Sequence, residues 1–423
     1  MGPEKLSEFS YIGFNPSLKI TLDNNTIRIS KDDKENITDV SNSYDLFSNL
    51  REILKENYVD NDFNRLVGGL VGFISYDIVR CWEDISDNYT KRTYADFQFG
   101  LFNEGIIFDH ERNKSYYYYS GQNNLEEILE LLNLQREIGT IDYTEPTSNI
   151  DKEKFENNVD VAKEYIRSGD IFQVVLSRKY EFEITGDLLS IYKALRTINP
   201  SPYMYYYKTK NVNIIGSSPE MLVRVTGNQI ETFPIAGTRP RDDDEERNKQ
   251  LTDELLSDEK ERAEHVMLVD LARNDVGQIA RFGSVKVPEF MQVHQFSHVQ
   301  HIVSKVIGEL KKDKDCFDAI RAIFPAGTVS GAPKIRAMEI IQELEGESRG
   351  PYAGALGYFS KNMCADFAIT IRTLVVKGND AYIQAGAGIV ADSIPEREWF
   401  ETEQKASALI AALEMAKKGV SIK

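Results

Sequence analysis

Past about residue 150 the strand-forming runs of this chain arrive mostly as hairpin-like pairs, not as strand-helix-strand repeats. That ordering points to an α+β protein with largely antiparallel sheets. Strands are expected at 171–184, 212–218, 221–234, 353–360, 365–376 and 380–391, and amphipathic helices at 151–168, 246–276, 333–345 and 398–418. Residues 1–145 read as strands separated by turns, the clearest being 67–82 and a hairpin over 104–120 that turns near Arg112 and Asn113. A polar stretch at 138–154 has the Pro, Ser and Thr content of a connection, and Asn149 or Asp151 can cap the helix after it. The expected division is an N-terminal region over 1–145 and a catalytic domain over 146–415.

A formal charge of −17 argues against nucleic acid and anionic membrane surfaces as partners, because both need basic patches. Much of that charge lies in the run 242–264, which reads as a solvated helical face as far as Glu261. An anionic substrate therefore needs a locally built site. No run approaches the length of a membrane span, and the first residues lack the pattern of a secretory signal, so a cytoplasmic location is expected. Cys81, Cys316 and Cys364 have no paired spacing that suggests disulfides or zinc.

Four segments carry candidate chemistry. In 261–275, Glu264 shares a helical stripe with Met267, Leu268, Leu271 and Ala272, so its carboxylate faces the apolar side, with Glu261 one turn earlier. A carboxylate there is costly without a cation. The last helix repeats the spacing with Glu398 and Glu401, and Lys405 follows one turn on. Two such pairs facing each other would offer a hard cation such as Mg²⁺ several oxygens, whereas an isolated pair is ordinarily surface charge. In 365–393 the hairpin turns at Lys377-Gly378-Asn379-Asp380, which sets Arg372 roughly opposite Ala385 and Gly386. Gly386-Ala387-Gly388 leaves the strand bare, either for close approach of a ligand or another backbone or as a β-bulge. The loop Gly327, Thr328, Ser330 and Gly331, with Pro333 suited to the first turn of its helix, can cap that helix or bind an anion. The turn PIAGTRPR (234–241) is similarly ambiguous. If 297–304 is a strand, His298 and His301 point to opposite faces. No nucleophilic hydrolase arrangement is present.

Taken together, PIAGTRPR, AEHVMLVDLARNDVG, HVQHIVSKVIGEL, FPAGTVSGAPKIRAMEIIQELE, RGPYAGALGYF, AITIRT and IQAGAGIVADSIPEREWFET resemble the chorismate-utilising enzyme family, and within it the large subunits of anthranilate synthases. The likeness runs from about residue 150 to 412, more weakly before. It implies two large, mainly antiparallel sheets packed as a sandwich, helices outside and the active site between them. By that resemblance Glu264 and Glu401 are direct Mg²⁺ ligands, with Glu261 and Glu398 acting through water, and the metal holds the ring carboxylate of chorismate. Gly237, Thr238, Tyr352, Arg372, Gly386, Ala387, Gly388 and Lys405 fall at substrate-contacting positions, while Thr328 and His301 face the ring. Glu220 matches the general acid for the departing 4-hydroxyl, and His301 is the candidate for assisting proton movement.

The implied reaction is attack of ammonia on chorismate, then loss of pyruvate to leave anthranilate, the tryptophan precursor. Isochorismate and salicylate synthases are similar but carry a lysine where this chain has Gln173. Aminodeoxychorismate synthases often carry a lysine in place of Ala236, and some lack it, so they stand as the alternative, with isochorismate synthase and then a non-catalytic ligand-binding relative behind them. Ammonia is expected from a glutamine amidotransferase subunit, in a heterotetramer. Pro202, Tyr203 and Met204 match tryptophan-sensing positions; the other half of that sensor is not found near the start, so inhibition by tryptophan is expected to be weak.

Overall fold

The computed structural model describes residues 8–31, 34–40, 46–61, 63–85, 92–134, 136–242, 244–295 and 299–419. Two large antiparallel sheets organise them. The larger has twelve strands in the order Ile235–Pro240, Val299–Glu309, Gln229–Thr232, Met221–Thr226, Ala365–Ile369, Ala355–Ser360, Gly69–Ile74, Phe97–Phe102, Leu18–Asp23, Thr26–Lys31 and Lys34–Asp39, with Lys286–Gln295 also on Val299–Glu309. The smaller has eight, running Thr147–Ser148, Gln173–Gly186, Asp380–Ile389, Thr373–Lys377, Val212–Ser218 and Tyr203–Lys208, with Ile141–Tyr143 and Gly331–Ala332 also on Gln173–Gly186. A separate three-stranded sheet joins Phe9–Gly13 to the hairpin Glu104–Asp109 and Lys114–Tyr119. Strands from either side of the 138–154 connection share the larger sheet, because Gly69–Ile74 pairs along Ala355–Ser360.

Alternating side chains make this a sandwich. Tyr207, Ile214, Val375 and Tyr382 of the smaller sheet lie in one core with Phe73 and Leu356 of the larger. The outer face of the smaller sheet is covered twice. Helices Leu189–Ile198 and Pro395–Lys418 bury Ile215, Leu374, Val376 and Ile383, while Lys152–Arg167 and Lys334–Glu345 bury Val174, Leu176, Ala387 and Ile389. On the larger sheet, helices Ser48–Glu56 and Cys316–Ile323 bring Leu50 and Phe317 into the core that holds Phe97, Phe99 and Phe359.

Several expected elements are subdivided. The 246–276 helix is two, Glu245–Ser257 and Glu259–Ile279, because Asp258 takes an extended conformation and its carboxylate caps the second by accepting from the Lys260 and Glu261 N–H groups. The 221–234 strand is the hairpin Met221–Thr226 and Gln229–Thr232. The 365–376 strand is broken at Thr370–Arg372, where Arg372 adopts φ +50°, and its halves belong to different sheets. Residues 76–81 form a 3₁₀ turn, not a strand, and the N-terminal third contains the helices Ser48–Glu56 and Leu125–Asn133. Pro333 occupies the cap position before Lys334 rather than the first turn. Asp151, not Asn149, caps Lys152–Arg167, and the 104–120 hairpin turns between Asp109 and Lys114. The segment 299–309 is a strand carrying His301; His298 lies outside the described residues.

Two crossovers connect the layers beside the cleft that the resemblance implies. One carries Glu220, between Val212–Ser218 and Met221–Thr226; the other is Thr370–Arg372. They lie side by side, with Ile369 N donating to Glu220 O (3.0 Å), Ser218 Oγ to Ile369 O (2.7 Å) and Ser217 N to Arg372 O (3.2 Å).

Candidate active site

The crossovers hold Glu220 and Arg372 at one cleft. Glu220 is buried and accepts a 2.9 Å hydrogen bond from Thr328 Oγ1, in the turn Gly327–Val329. Burial pushes its carboxyl up to about 8, against the Thr328 bond and the charges of Lys405 and Arg372, which pull the other way. Burial lowers the Arg372 pKa, and the charge of Glu220 opposes that.

The strand Asp380–Ile389 forms one wall. Its register with Gln173–Gly186 is continuous from Val174↔Ile389 to Glu183↔Asp380, so Gly386-Ala387-Gly388 contains no bulge. Pairing with Thr373–Lys377 ends at Leu374↔Ile383, so Arg372 is not opposite Ala385 or Gly386 in a ladder. The glycines answer to close approach of side chains instead. A Cβ on Gly386 would stand 2.7 Å from Tyr352 Oη, and one on Gly388 would stand 2.6 Å from Gln173 Nε2 and 3.9 Å from Glu264 Oε1. Ala387 turns its side chain into the outer core, leaving only its backbone for the cleft. Lys405 Nζ donates to Gly386 O (2.9 Å) and pairs with Glu401 (2.7 Å). Because only the movable end of Gln173 obstructs a methyl at 388, Gly388→Ala is expected to fold and melt normally yet lose activity roughly tenfold or more by displacing Gln173. Thermal melting and turnover of the variant check this, and undiminished turnover would contradict it.

The opposite wall carries Gly237, Thr238 and His301. His301 Nδ1 lies 2.8 Å from the Gly237 carbonyl and 3.1 Å from Thr238 Oγ1. A carbonyl only accepts, so Nδ1 bears the hydrogen, and burial lowers the ring's pKa to about 4. The neutral ring therefore has its lone pair on Nε2. Gly237 at φ +66° lies where a Cβ would meet Leu255 and Glu261.

The four glutamates come from two helices and neighbour one another. Burial raises the Glu264 carboxyl, the Gln173 Nε2 bond (2.8 Å) lowers it, and the charges of Glu261 and Glu401 raise it further. Glu398 is buried and likewise raised, with Ser393 opposing and Glu401 adding to the shift. Glu261 is held by Arg239 (3.3 Å). Among the described residues no three carboxylates, imidazoles or thiols already stand close enough to hold a metal together. The donor set nevertheless fits a hard divalent cation: all oxygen, two members raised by burial and mutual repulsion, which a positive ion would relieve.

Sequence reasoning misses Arg239 as the partner of Glu261 and Gln173 as that of Glu264. The only cue to either is position, inside PIAGTRPR and at the head of a long strand. Pro202, Tyr203 and Met204 lie elsewhere, at and on the edge strand Tyr203–Lys208, where Tyr203 Oη donates to Asp366 (2.8 Å).

The sequence model of the chorismate binding enzymes matches residues 3–411. The chain belongs to the chorismate-binding enzyme family. Among relatives, anthranilate synthase component 1 of Methanothermobacter marburgensis is 50% identical over 97% of this chain and 87% of its own length. That of Aquifex aeolicus is 45% identical over 98% and 88%. The crystal structure of anthranilate synthase component I from Streptococcus pneumoniae superposes with a TM-score of 0.85 at 38% identity, covering 95% of this chain and 92% of that one. The menaquinone-specific isochorismate synthase MenF of Escherichia coli shares the fold, with a TM-score of 0.70 at 20% identity over 96% and 94%. As a chorismate-binding enzyme the chain has its sandwich, and no described helix is long and apolar enough to cross a membrane.

Proposed function

We propose that the chain is the synthase subunit of an anthranilate synthase, converting chorismate and ammonia to anthranilate and pyruvate. Its named relatives support that reading, and the observation that carries it is Glu220: a buried carboxyl, protonated at neutral pH, hydrogen-bonded by Thr328 and flanked by the charges of Arg372 and Lys405. A buried acid among cations suits a reaction that expels hydroxide from a dianion. Arg372, Lys405 and the backbone of Gly386, Ala387 and Gly388 bind the substrate's carboxylates, and Tyr352 and Thr238 bound the space around it. Glu220 gives its proton to the 4-hydroxyl, which leaves as water as the new carbon–nitrogen bond forms. His301, neutral with its lone pair on Nε2, then assists removal of the ring proton as the enolpyruvyl group departs as pyruvate.

Mg²⁺ would be held by Glu264 and Glu401 directly and by Glu261 and Glu398 through water, and when bound it would neutralise the ring carboxylate. Gln173 favours ammonia over water. Its Nε2 donates to Glu264, its Oε1 is a buried acceptor with no protein partner, and an amide cannot take a proton from water. Ammonia needs no base to attack, and its N–H groups match that acceptor. Ala236, buried beside Gly237, cannot form the covalent link available to a lysine there. Incubation with chorismate, Mg²⁺ and ammonium tests the whole reading: the fluorescence of an ortho-amino acid is expected. A para-substituted amine would select the aminodeoxychorismate alternative, isochorismate would overturn the argument from Gln173, and no turnover would leave a binding protein.

The partner in this proposal is a glutamine amidotransferase subunit in a heterotetramer, and tryptophan is the ligand of the Pro202–Met204 segment. The isolated chain is expected to work with ammonium at raised pH and to show under about one-hundredth of that rate with glutamine, since it has no nucleophile for releasing ammonia. Adding an amidotransferase subunit should restore glutamine use; equal rates without it would refute the dependence.

A further inference from the structure

Behind the cleft lies an ion cluster that the proposed reaction does not use. The Arg349 side chain is fully buried with Glu345, Nε donating to Glu345 Oε2 (2.8 Å) and Nη2 to Oε1 (2.6 Å). Its other bonds reach backbone in two separate segments, Nη1 to Val329 O (2.7 Å) and Nη2 to Val175 O (2.7 Å). Val329 is the neighbour of Thr328 in the turn Gly327–Val329, and Thr328 holds Glu220. Glu345 Oε1 also accepts from Ser177 N (2.7 Å) and Ser177 Oγ (2.8 Å).

The Arg349 backbone is fixed as well. Asp77, in the N-terminal part of the chain, accepts from Ser348 Oγ (2.6 Å), Arg349 N (3.3 Å) and Gly350 N (2.7 Å). The guanidinium lies 4.7 Å from the Tyr76 ring centroid and 5.6 Å from that of Tyr352. A buried ion pair is a poor source of net stability, and apolar replacements of similar volume often do as well. What an apolar group cannot do is tie three segments to one rigid fork, and a lysine lacks the fork.

We propose that Arg349 is a positioning residue: anchored by Asp77 and Glu345, its guanidinium sets the Gly327–Val329 turn against the strand Gln173–Gly186, and so sets the Thr328 hydroxyl on Glu220. This rests on the reading of Glu220 as the general acid. The N-terminal segment then enters catalysis without touching substrate.

Two measurements on folded variants test it. In turnover, Arg349→Lys and Thr328→Val are each expected to lower kcat roughly tenfold to a hundredfold, with KM for chorismate changed less than about threefold. If Arg349 acts through Thr328, the double variant falls no further than the worse single. Multiplied losses, or a loss confined to KM, would overturn the proposal. The second measurement needs no activity: ¹³C NMR titration of the Glu220 carboxyl, assigned by its disappearance in Glu220→Gln. Since the Thr328 bond lowers this pKa, its loss should raise the midpoint in Arg349→Lys as in Thr328→Val, and an unmoved midpoint in Arg349→Lys refutes the link. Should Arg349→Lys not fold, Glu345→Gln, which loosens the guanidinium while keeping the cluster's shape, carries both measurements by the same criteria. A wild-type chain that makes no anthranilate would sink the functional reading alone, and the titration would still judge Arg349.

Discussion

Glu220→Gln is expected to lower kcat by about 10²- to 10⁴-fold, the range a general acid supplies, with little change in chorismate binding. Glutamine keeps the shape and can still accept from Thr328, so the loss isolates the proton. The pH dependence has a defined sign. With the wild-type carboxyl raised to about 8, the acid is protonated through neutrality, and kcat at constant free ammonia should be flat below that value and fall with rising pH above it. At constant total ammonium the growing ammonia fraction masks this fall, so free ammonia has to be held fixed. Stability runs the same way. A carboxyl raised in the folded state contributes most below its unfolded value near 4.3 and loses that contribution as pH rises through about 8. The variant has no such loss, so at pH 9 its unfolding free energy should exceed that of wild type by on the order of a few kcal/mol, measured by denaturant unfolding. A drop in kcat below tenfold, or an unchanged alkaline limb in the variant, would remove Glu220 from its role.

Chelation should abolish turnover, and Mg²⁺ should restore it. The more discriminating readout is thermal. Glu264 and Glu398 are raised by burial and by neighbouring carboxylates, so an ion that binds only the folded chain stabilises it, by about 2.7 kcal/mol at a hundred times its dissociation constant. Melting temperature is therefore expected to rise with Mg²⁺ in wild type and to stay level in a Glu264→Gln, Glu401→Gln double variant. A double variant that gains as much as wild type would place the ion elsewhere.

The legibility of the chain follows the range of its interactions. Local devices could be read or narrowed to two choices: the Gly378-Asn379 turn directly, the helix cap to Asn149 or Asp151, and Gly386 and Gly388 to a close approach or a β-bulge. Elements that change layer could not. Seven of the twelve residues in the run 365–376 are β-branched or aromatic, and nothing in it announces that Arg372 takes a left-handed backbone and that its two halves pair with different sheets. The acidic run before Glu261 keeps helical periodicity across Asp258, so the break appears only once that aspartate is seen to cap. The positions that the resemblance assigns to the site could be named because each lies in a recognisable motif. Arg349 was not, since the partners that explain it lie at Asp77, Val175 and Val329.

Glu220 and Arg372 ride on neighbouring passages between the two layers, while His301 belongs to one layer and Gly386 to the other. A slide of one sheet over its mate by a single bond length would change the separations among all four positions at once.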